Sequence, residues 1–298
     1  MSESINRNRI KLVSLICSLL VVTLHLGFEY FYRISSSSSF CNKLVYFFLH
    51  FIQHGVCRVA VPYFMFKAGY LYFLDFDGTF YSYIKKTKRR FFSLFIPYVI
   101  WNAINFLFTF LICSIPFTQK YVAVRQIPKF DIIGVLLLRI GYAPNLFLQY
   151  LIIFSIVLPA FYRLYKVKYA HLITIIVLIL INVFVQNNDV YYGLIFYMIG
   201  IFFSINYKNL KFNFNISSLF IFVVTSLLIL LIGHEHRIIC AFEIILLLSF
   251  WFSIPLFPDK YPLKSDISFL IYESHEIIFM SIFKLLYIFT LKLICFVC

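Results

Sequence analysis

Apolar runs long enough to cross a lipid bilayer recur along almost the whole of this chain, beginning with Leu12 to Phe31. A helix needs about 20 apolar residues to cross the hydrocarbon layer. Candidate spans are Ile10–Tyr32, Leu44–Phe73, Phe91–Ile115, Asn145–Tyr165, Ala170–Val185, Val190–Ile205, Ile216–Ile232, Ile238–Leu256 and Ile267–Thr290. The expected fold is therefore an all-α polytopic integral membrane protein with about nine transmembrane helices. The stretch Ile132–Ile140 is too short to span and is expected to lie at the interface or re-enter.

Composition agrees with that class. Charged residues are 13% of the chain and hydrophobic residues 62%, against roughly 25% charged in a soluble domain. The longest polar stretches, such as Pro116 to Asp131, leave no room for a separate soluble domain, so residues 1–298 are expected to form one transmembrane domain. Arg7, Arg9 and Lys11 precede the first run as in a signal peptide. No small-x-small cleavage site follows, so the run is read as an uncleaved first helix.

The net charge of +14 follows from where the basic residues sit. Arg7–Lys11, Lys85–Arg90, Arg163–Lys168, Lys208 with Lys211, and Lys260 with Lys264 all fall on one side of a nine-span topology. Lysine and arginine favour the cytoplasmic side, which puts the N-terminus inside and the C-terminus outside. The opposite loops carry Arg33 and Lys43, and then Lys120, Arg125 and Lys129. Short basic clusters between spans argue against a nucleic-acid partner. The seven cysteines, Cys17, Cys41, Cys57, Cys113, Cys240, Cys295 and Cys298, show no metal-type spacing, and neither a disulfide framework nor zinc is implied.

Ionisable side chains within hydrocarbon are expensive and by default mark function. His25 lies in the outer half of the first span. A neutral imidazole there can accept a proton from a hydroxyl or attack an acyl carbonyl; the other reading is a histidine satisfied by a neighbouring helix. His50, His54 and Arg58 recur every four residues in the second span, so a continuous helix would put them on one face, turned into the bundle or a wet cavity. No third ligand accompanies the two histidines, and no metal is expected. Arg58 suits an anion, because its charge is permanent and its fork matches phosphate or carboxylate. Lys67 either snorkels to the interface or touches substrate. In the last span Glu273, His275 and Glu276 are grouped, either as site residues or as an internal ion pair, with Glu276 within reach of pairing with Arg58 or Lys67. The loop Gly233–Arg237, with two histidines, a glutamate and an arginine, reads as an ordinary polar turn or a substrate contact.

Three stretches then carry a resemblance. Arg58-Val59-Ala60-Val61-Pro62-Tyr63-Phe64-Met65-Phe66-Lys67-Ala68-Gly69-Tyr70 resembles the pattern R-x-A-V-P-x-F-F-x-x-S-G-Y. Lys85–Trp101 resembles K-R-x-x-R-L-x-x-P-Y-x-x-W, and Ser268–His275 resembles S-F-x-I-Y-x-x-H. With His25 before them in order, the chain is similar to the membrane acyltransferase-3 family, which includes bacterial O-acetyltransferases of surface polysaccharides. Residues from about 105 to 260 match in span pattern alone, and Asn145-Leu146-Phe147-Leu148 corresponds to a family H-L-W-F-L stretch without its His and Trp.

The resemblance implies acyl transfer from acetyl-CoA or another acyl-CoA to a carbohydrate hydroxyl, in the bacterial cytoplasmic membrane, with no tightly bound cofactor. His25 and His275 are then the expected catalytic residues. Arg58, Lys11, Lys67, Glu273, Glu276 and His54 are expected to hold donor or substrate. The sequence departs from the family at three places. The arginine eleven residues before the first-span histidine is Ser14 here, the serine before Gly-Tyr is Ala68, and Glu276 stands where proline is common. Either Lys11, Arg58 or Lys67 supplies the charge absent at Ser14, or the site lacks it. A flippase or related transporter for a lipid-linked glycan would also use buried charges, but transporters often show paired internal repeats and none is visible. A glycan polymerase would usually be longer, with a large external loop.

Overall fold

The structure is a computed structural model and describes residues 2–25, 40–114, 146–167, 169–185, 189–207, 215–233, 238–254, 267, 268, 271 and 274. Among the described residues all regular structure is helical. The elements are α1 (Ser2–His25), α2 (Phe40–His54), a 3₁₀ turn (Val56–Val59), α3 (Ala60–Phe73), α4 (Phe80–Ser114) and α5 (Leu146–Val157). A second 3₁₀ turn (Leu158–Phe161) leads into α6 (Tyr162–Tyr165), followed by α7 (Ala170–Val185), α8 (Asp189–Asn206), α9 (Ile216–Ile232) and α10 (Ile239–Ser253). Three stretches are long and apolar enough to cross a membrane: Asn8–His25, Phe40–Phe73 and Phe147–Tyr165. Four shorter apolar helices accompany them, Ala170–Val185, Val190–Asn206, Ile216–Ile232 and Ile239–Ser253. The short segment Ile132–Ile140 lies outside the described residues.

Two expected spans are built differently from their sequence outline. The second, Leu44–Phe73, is not one continuous helix. It breaks after His54 at Gly55 and the 3₁₀ turn, then resumes as α3. A β-carbon at Gly55 would lie 2.8 Å from the Ser226 carbonyl oxygen, so glycine is what lets the break press against α9. The third begins earlier than expected, at Phe80 rather than Phe91, and carries Lys85–Arg90 within its first turns. The reason is a cap: the Asp77 carboxylate accepts from the Thr79 backbone amide and hydroxyl, both at 2.8 Å, and the Thr79 hydroxyl accepts from the Ser82 amide at 3.2 Å. These bonds satisfy helix-start amides that have no partner inside the helix. At about 1.5 Å per residue the 35-residue helix measures roughly 52 Å, well beyond the ~30 Å hydrocarbon layer.

The chain divides into two compact units, Met1–Tyr83 with Phe154–Tyr272, and Ile84–Ile153 with Glu273–Cys298. In the first unit α3 and α8 pack most intimately. Gly69 faces the Tyr197 carbonyl and Gly200 faces the Phe66 carbonyl, and a side chain at either would collide with backbone. Small residues that let helix backbones approach are the usual device where lipid gives no hydrophobic push between helices. Around this contact Phe66 stacks with Tyr70, and Trp251 of α10 meets the rings of Tyr63 and Phe66 at centroid distances of 6.1 and 6.3 Å. Helices α9 and α10 run antiparallel: the Asn215 amide before α9 donates to the Phe252 carbonyl near the end of α10. Helix α1 lies against α3 and the first 3₁₀ turn, burying Val13, Ser14, Cys17, Ser18 and Val21, a stripe at helical spacing. In the second unit α4 buries Leu94, Tyr98 and Asn102 at four-residue spacing, and α5 buries Leu148 and Leu151.

Candidate functional site

The stripe that α1 buries is polar where it meets α3. Ser14 and Ser18 lie one turn apart, and neither is exposed at all. The Lys67 ammonium of α3 donates to the Ser14 hydroxyl at 2.7 Å. Ser14 in turn gives its single proton to the Ile10 carbonyl at 2.6 Å, and the Tyr63 hydroxyl donates to the same carbonyl at 3.0 Å. The donor directions follow from Lys67, which can only donate, and from the Ile10 carbonyl, which can only accept. Ser18 faces two carbonyls, Ser14 at 2.9 Å and Ser268 at 2.6 Å, with one proton to give. Through Ser268 the start of the last expected span reaches α1 beside the lysine.

Of the cations that sequence reasoning put forward for Ser14, Lys67 is hydrogen-bonded to the Ser14 side chain among the described residues. Lys11 is half-buried on α1 three residues before Ser14. Lys67 is half-buried, and its ammonium bridges α3 to α1 through this bond.

Arg58 is not on one continuous helix with His50 and His54. His50 and His54 do neighbour each other on α2, with ring centroids 4.4 Å apart and Tyr46 stacked on His50 at 5.5 Å. The break at Gly55 then puts Arg58 on the 3₁₀ turn, where its Nη1 lies 3.7 Å from Oε1 of Glu243 on α10. Its neighbours Cys57 and Val59 are wholly buried, while the Arg58 side chain keeps 24% exposure. Glu243 is completely buried, and Tyr192 of α8 interacts with the same carboxylate. Neither carboxylate oxygen has a hydrogen bond of normal geometry among the described residues.

His25 is the last described residue of α1 and is exposed. It follows Leu24, whose carbonyl accepts from the Gln53 side chain at 2.8 Å, so α2 touches α1 at this level. Eleven residues separate His25 from Ser14, about three helical turns and roughly 16 Å, which returns both to nearly the same helix face. Glu273, His275 and Glu276, with the loop residues His234–Arg237, lie outside the described residues. Among the described residues no three His, Cys, Asp or Glu side chains converge on one point.

Three participants were not singled out by sequence reasoning. Arg9 reads as a flanking charge, yet it is buried. Its guanidinium donates to the Trp251 and Ile254 carbonyls, the latter at 3.1 Å, and lies 4.8 Å over the Trp251 ring. It thereby closes the C-terminal end of α10, where free carbonyls favour a cation. Tyr63 lies inside a recognised motif without a role. Glu243 is a lone acid within an apolar run, the same signal that singles out His25.

Among families of known proteins, one described as an acyltransferase domain matches residues 8–298. No curated protein and no solved structure matches the chain.

Proposed function

The chain belongs to the acyltransferase-3 family, and on that footing we propose that it is a membrane O-acyltransferase moving an acetyl or similar acyl group from acyl-CoA to a hydroxyl of a surface or lipid-linked carbohydrate. The observation that carries this reading is the Lys67–Ser14 contact at 2.7 Å. It sets the α3 cation beside Ser14, which lies three turns before His25 on α1 where the family carries an arginine, and so supports a family-like charge at this point. Tyr63 adjoins Ser14 and Ser268 meets Ser18 one turn on, so residues of α1, of the Arg58–Tyr70 stretch and of the Ser268–His275 stretch come together within otherwise apolar helices.

In this reading Lys67 and Arg58 hold the anionic groups of the donor. His25 takes the proton from the acceptor hydroxyl as its oxygen attacks the thioester carbonyl. The carbon–sulfur bond breaks, and the imidazolium returns the proton to the departing CoA thiolate. The alternative order passes the acyl group through the imidazole itself, with the same balance. His275, Glu273, Glu276, Lys11 and His54 remain candidate donor or acceptor contacts. The topology that goes with this function is one domain over residues 1–298, about nine spans with the N-terminus cytoplasmic, in the bacterial inner membrane, without a tightly bound cofactor.

The test is mass spectrometry of the cell's glycans with wild-type protein, with His25→Ala, and with the gene deleted. The expected result is loss of one acyl unit in both defective strains while the variant accumulates in the membrane. Acylation unchanged by His25→Ala would overturn the role of His25, and loss of all surface glycan on deletion would point to export instead.

A further inference from the structure

Glu243 has no part in the chemistry above, yet it is a fully buried carboxylate. It sits on α10 between Phe242 and Ile244, in a helix otherwise apolar around it, with no exposure. A buried carboxylate without compensation costs several kcal/mol, so its partners define its purpose. The cation within ion-pair reach is Arg58, at 3.7 Å. That distance is too long for a charge-assisted hydrogen bond, and far from the two-bond fork that Arg and carboxylate form at about 2.7–2.9 Å.

The pair is therefore attracted but not closed. Among the described residues neither Glu243 oxygen nor Arg58 Nε has a hydrogen bond of normal geometry, and Tyr192 is the other polar group that interacts with the carboxylate. A guanidinium has five N–H donors. Here one edge is turned toward Glu243 while the side chain keeps 24% exposure. The backbone beneath it is fixed, because Cys57 and Val59 are buried on either side and Gly55 is pressed against the Ser226 carbonyl. A structural ion pair of this depth would be expected to complete its hydrogen bonds. An arginine held in place by charge while its side chain stays partly exposed is suited to receive a second anion.

We propose that Glu243 is the positioning residue for Arg58: from α10 its carboxylate holds the guanidinium on the 3₁₀ turn so that the remaining donors face an anionic group of the acyl donor. Tyr192 of α8 interacts with the same carboxylate and ties its position to the α3–α8 contact. The inference rests on the reading of Arg58 as an anion holder.

The test uses the full-length protein in membranes, with acetyl-CoA as donor and transfer to the endogenous glycan as readout, beside thermal unfolding of the solubilised protein. Glu243→Gln is expected to raise KM for acetyl-CoA about tenfold while kcat stays within about twofold. Where that variant fails to accumulate, Glu243→Asp, which sets the charge back by one methylene, is expected to give the same split at a smaller fold-change. The exchanged double variant, Arg58→Glu with Glu243→Arg, is expected to regain thermal stability but not donor affinity, since the outer charge is then negative. Recovery of both in the exchanged variant would overturn the proposal and leave a purely structural pair. An unchanged KM in Glu243→Gln alongside a raised KM in Arg58→Ala would overturn it while sparing the role of Arg58. An unchanged KM in Arg58→Ala would overturn that role and this inference together.

Discussion

The Lys67–Ser14 contact predicts that the charge at this point matters more than the helix that supplies it. Lys67→Ser removes a hydrogen bond from a charged donor, worth roughly 1.5–3 kcal/mol. If that interaction serves the bound donor and the transition state, kcat/KM falls by about tenfold to a hundredfold, at a factor of ten per 1.4 kcal/mol. Ser14→Arg alone brings a second cation beside the ammonium. Ser14 has no exposure, so the guanidinium cannot swing out to solvent. Two like charges about 4 Å apart at an effective dielectric constant near 20 repel by roughly 4 kcal/mol. That variant should therefore be destabilised severely. The double variant Ser14→Arg with Lys67→Ser exchanges a serine and a lysine for an arginine and a serine, nearly conserving volume while moving the cation from α3 to α1. It should recover both thermal stability and most of the acyl transfer lost in Lys67→Ser. The assays are thermal unfolding of the purified protein and acetyl transfer from acetyl-CoA in membranes. A double variant no more active than Lys67→Ser would refute the claim that the cation's place, rather than its particular carrier, is what the site requires.

Two further outcomes follow from the packing and the cap. Gly200→Ala drives a methyl group against the Phe66 carbonyl at the α3–α8 contact and is expected to destabilise by about 1–3 kcal/mol, as overpacking does; an unchanged thermal midpoint would contradict that contact. Asp77 has its carboxyl held below the usual range by the Thr79 backbone amide first and the Thr79 hydroxyl second. A depressed folded-state value means its contribution is fully present above the unfolded-state value and is lost as pH falls through the folded-state value. The difference in thermal midpoint between wild type and Asp77→Asn is therefore expected to be present at neutral pH and to close in the acid range; a constant difference across that range would refute the role of the ionised cap.

Much of the architecture was legible because hydrocarbon restricts what a chain can do. Apolar runs of spanning length specify helices, and α7, α8, α9 and α10 fall close to the runs that announce them. The break at Gly55 was not legible, because its cause is a contact with Ser226 on another helix and the sequence nearby continues a helical pattern. The same break ends the continuous helix after His54, so the four-residue spacing that pairs His50 with His54 runs out before Arg58. The early start of α4 was legible in principle: Asp77 and Thr79 are capping residues ahead of a helical stretch, but the basic run after them reads as loop when the eye follows hydropathy alone.

The site divides along the same line. His25, Arg58 and Lys67 announce themselves as ionisable residues in apolar runs, and that signal is local. Their partners do not come from the same run: Ser14 lies 53 residues from Lys67, and Glu243 meets Arg58 from another helix altogether. A polar group in lipid must find its complement across a helix interface, since its own helix has already spent the backbone groups on internal bonds. Sequence inspection therefore sees one half of each pair, and the more ordinary half goes unnoticed. Arg9 shows the converse error. A basic residue ahead of a span is usually topogenic, but the carbonyls at the end of α10 give this one a buried seat. Serine at the family arginine's position does not leave this point without a cation: with α1 and α3 in contact, a lysine from 53 residues downstream donates to the Ser14 hydroxyl.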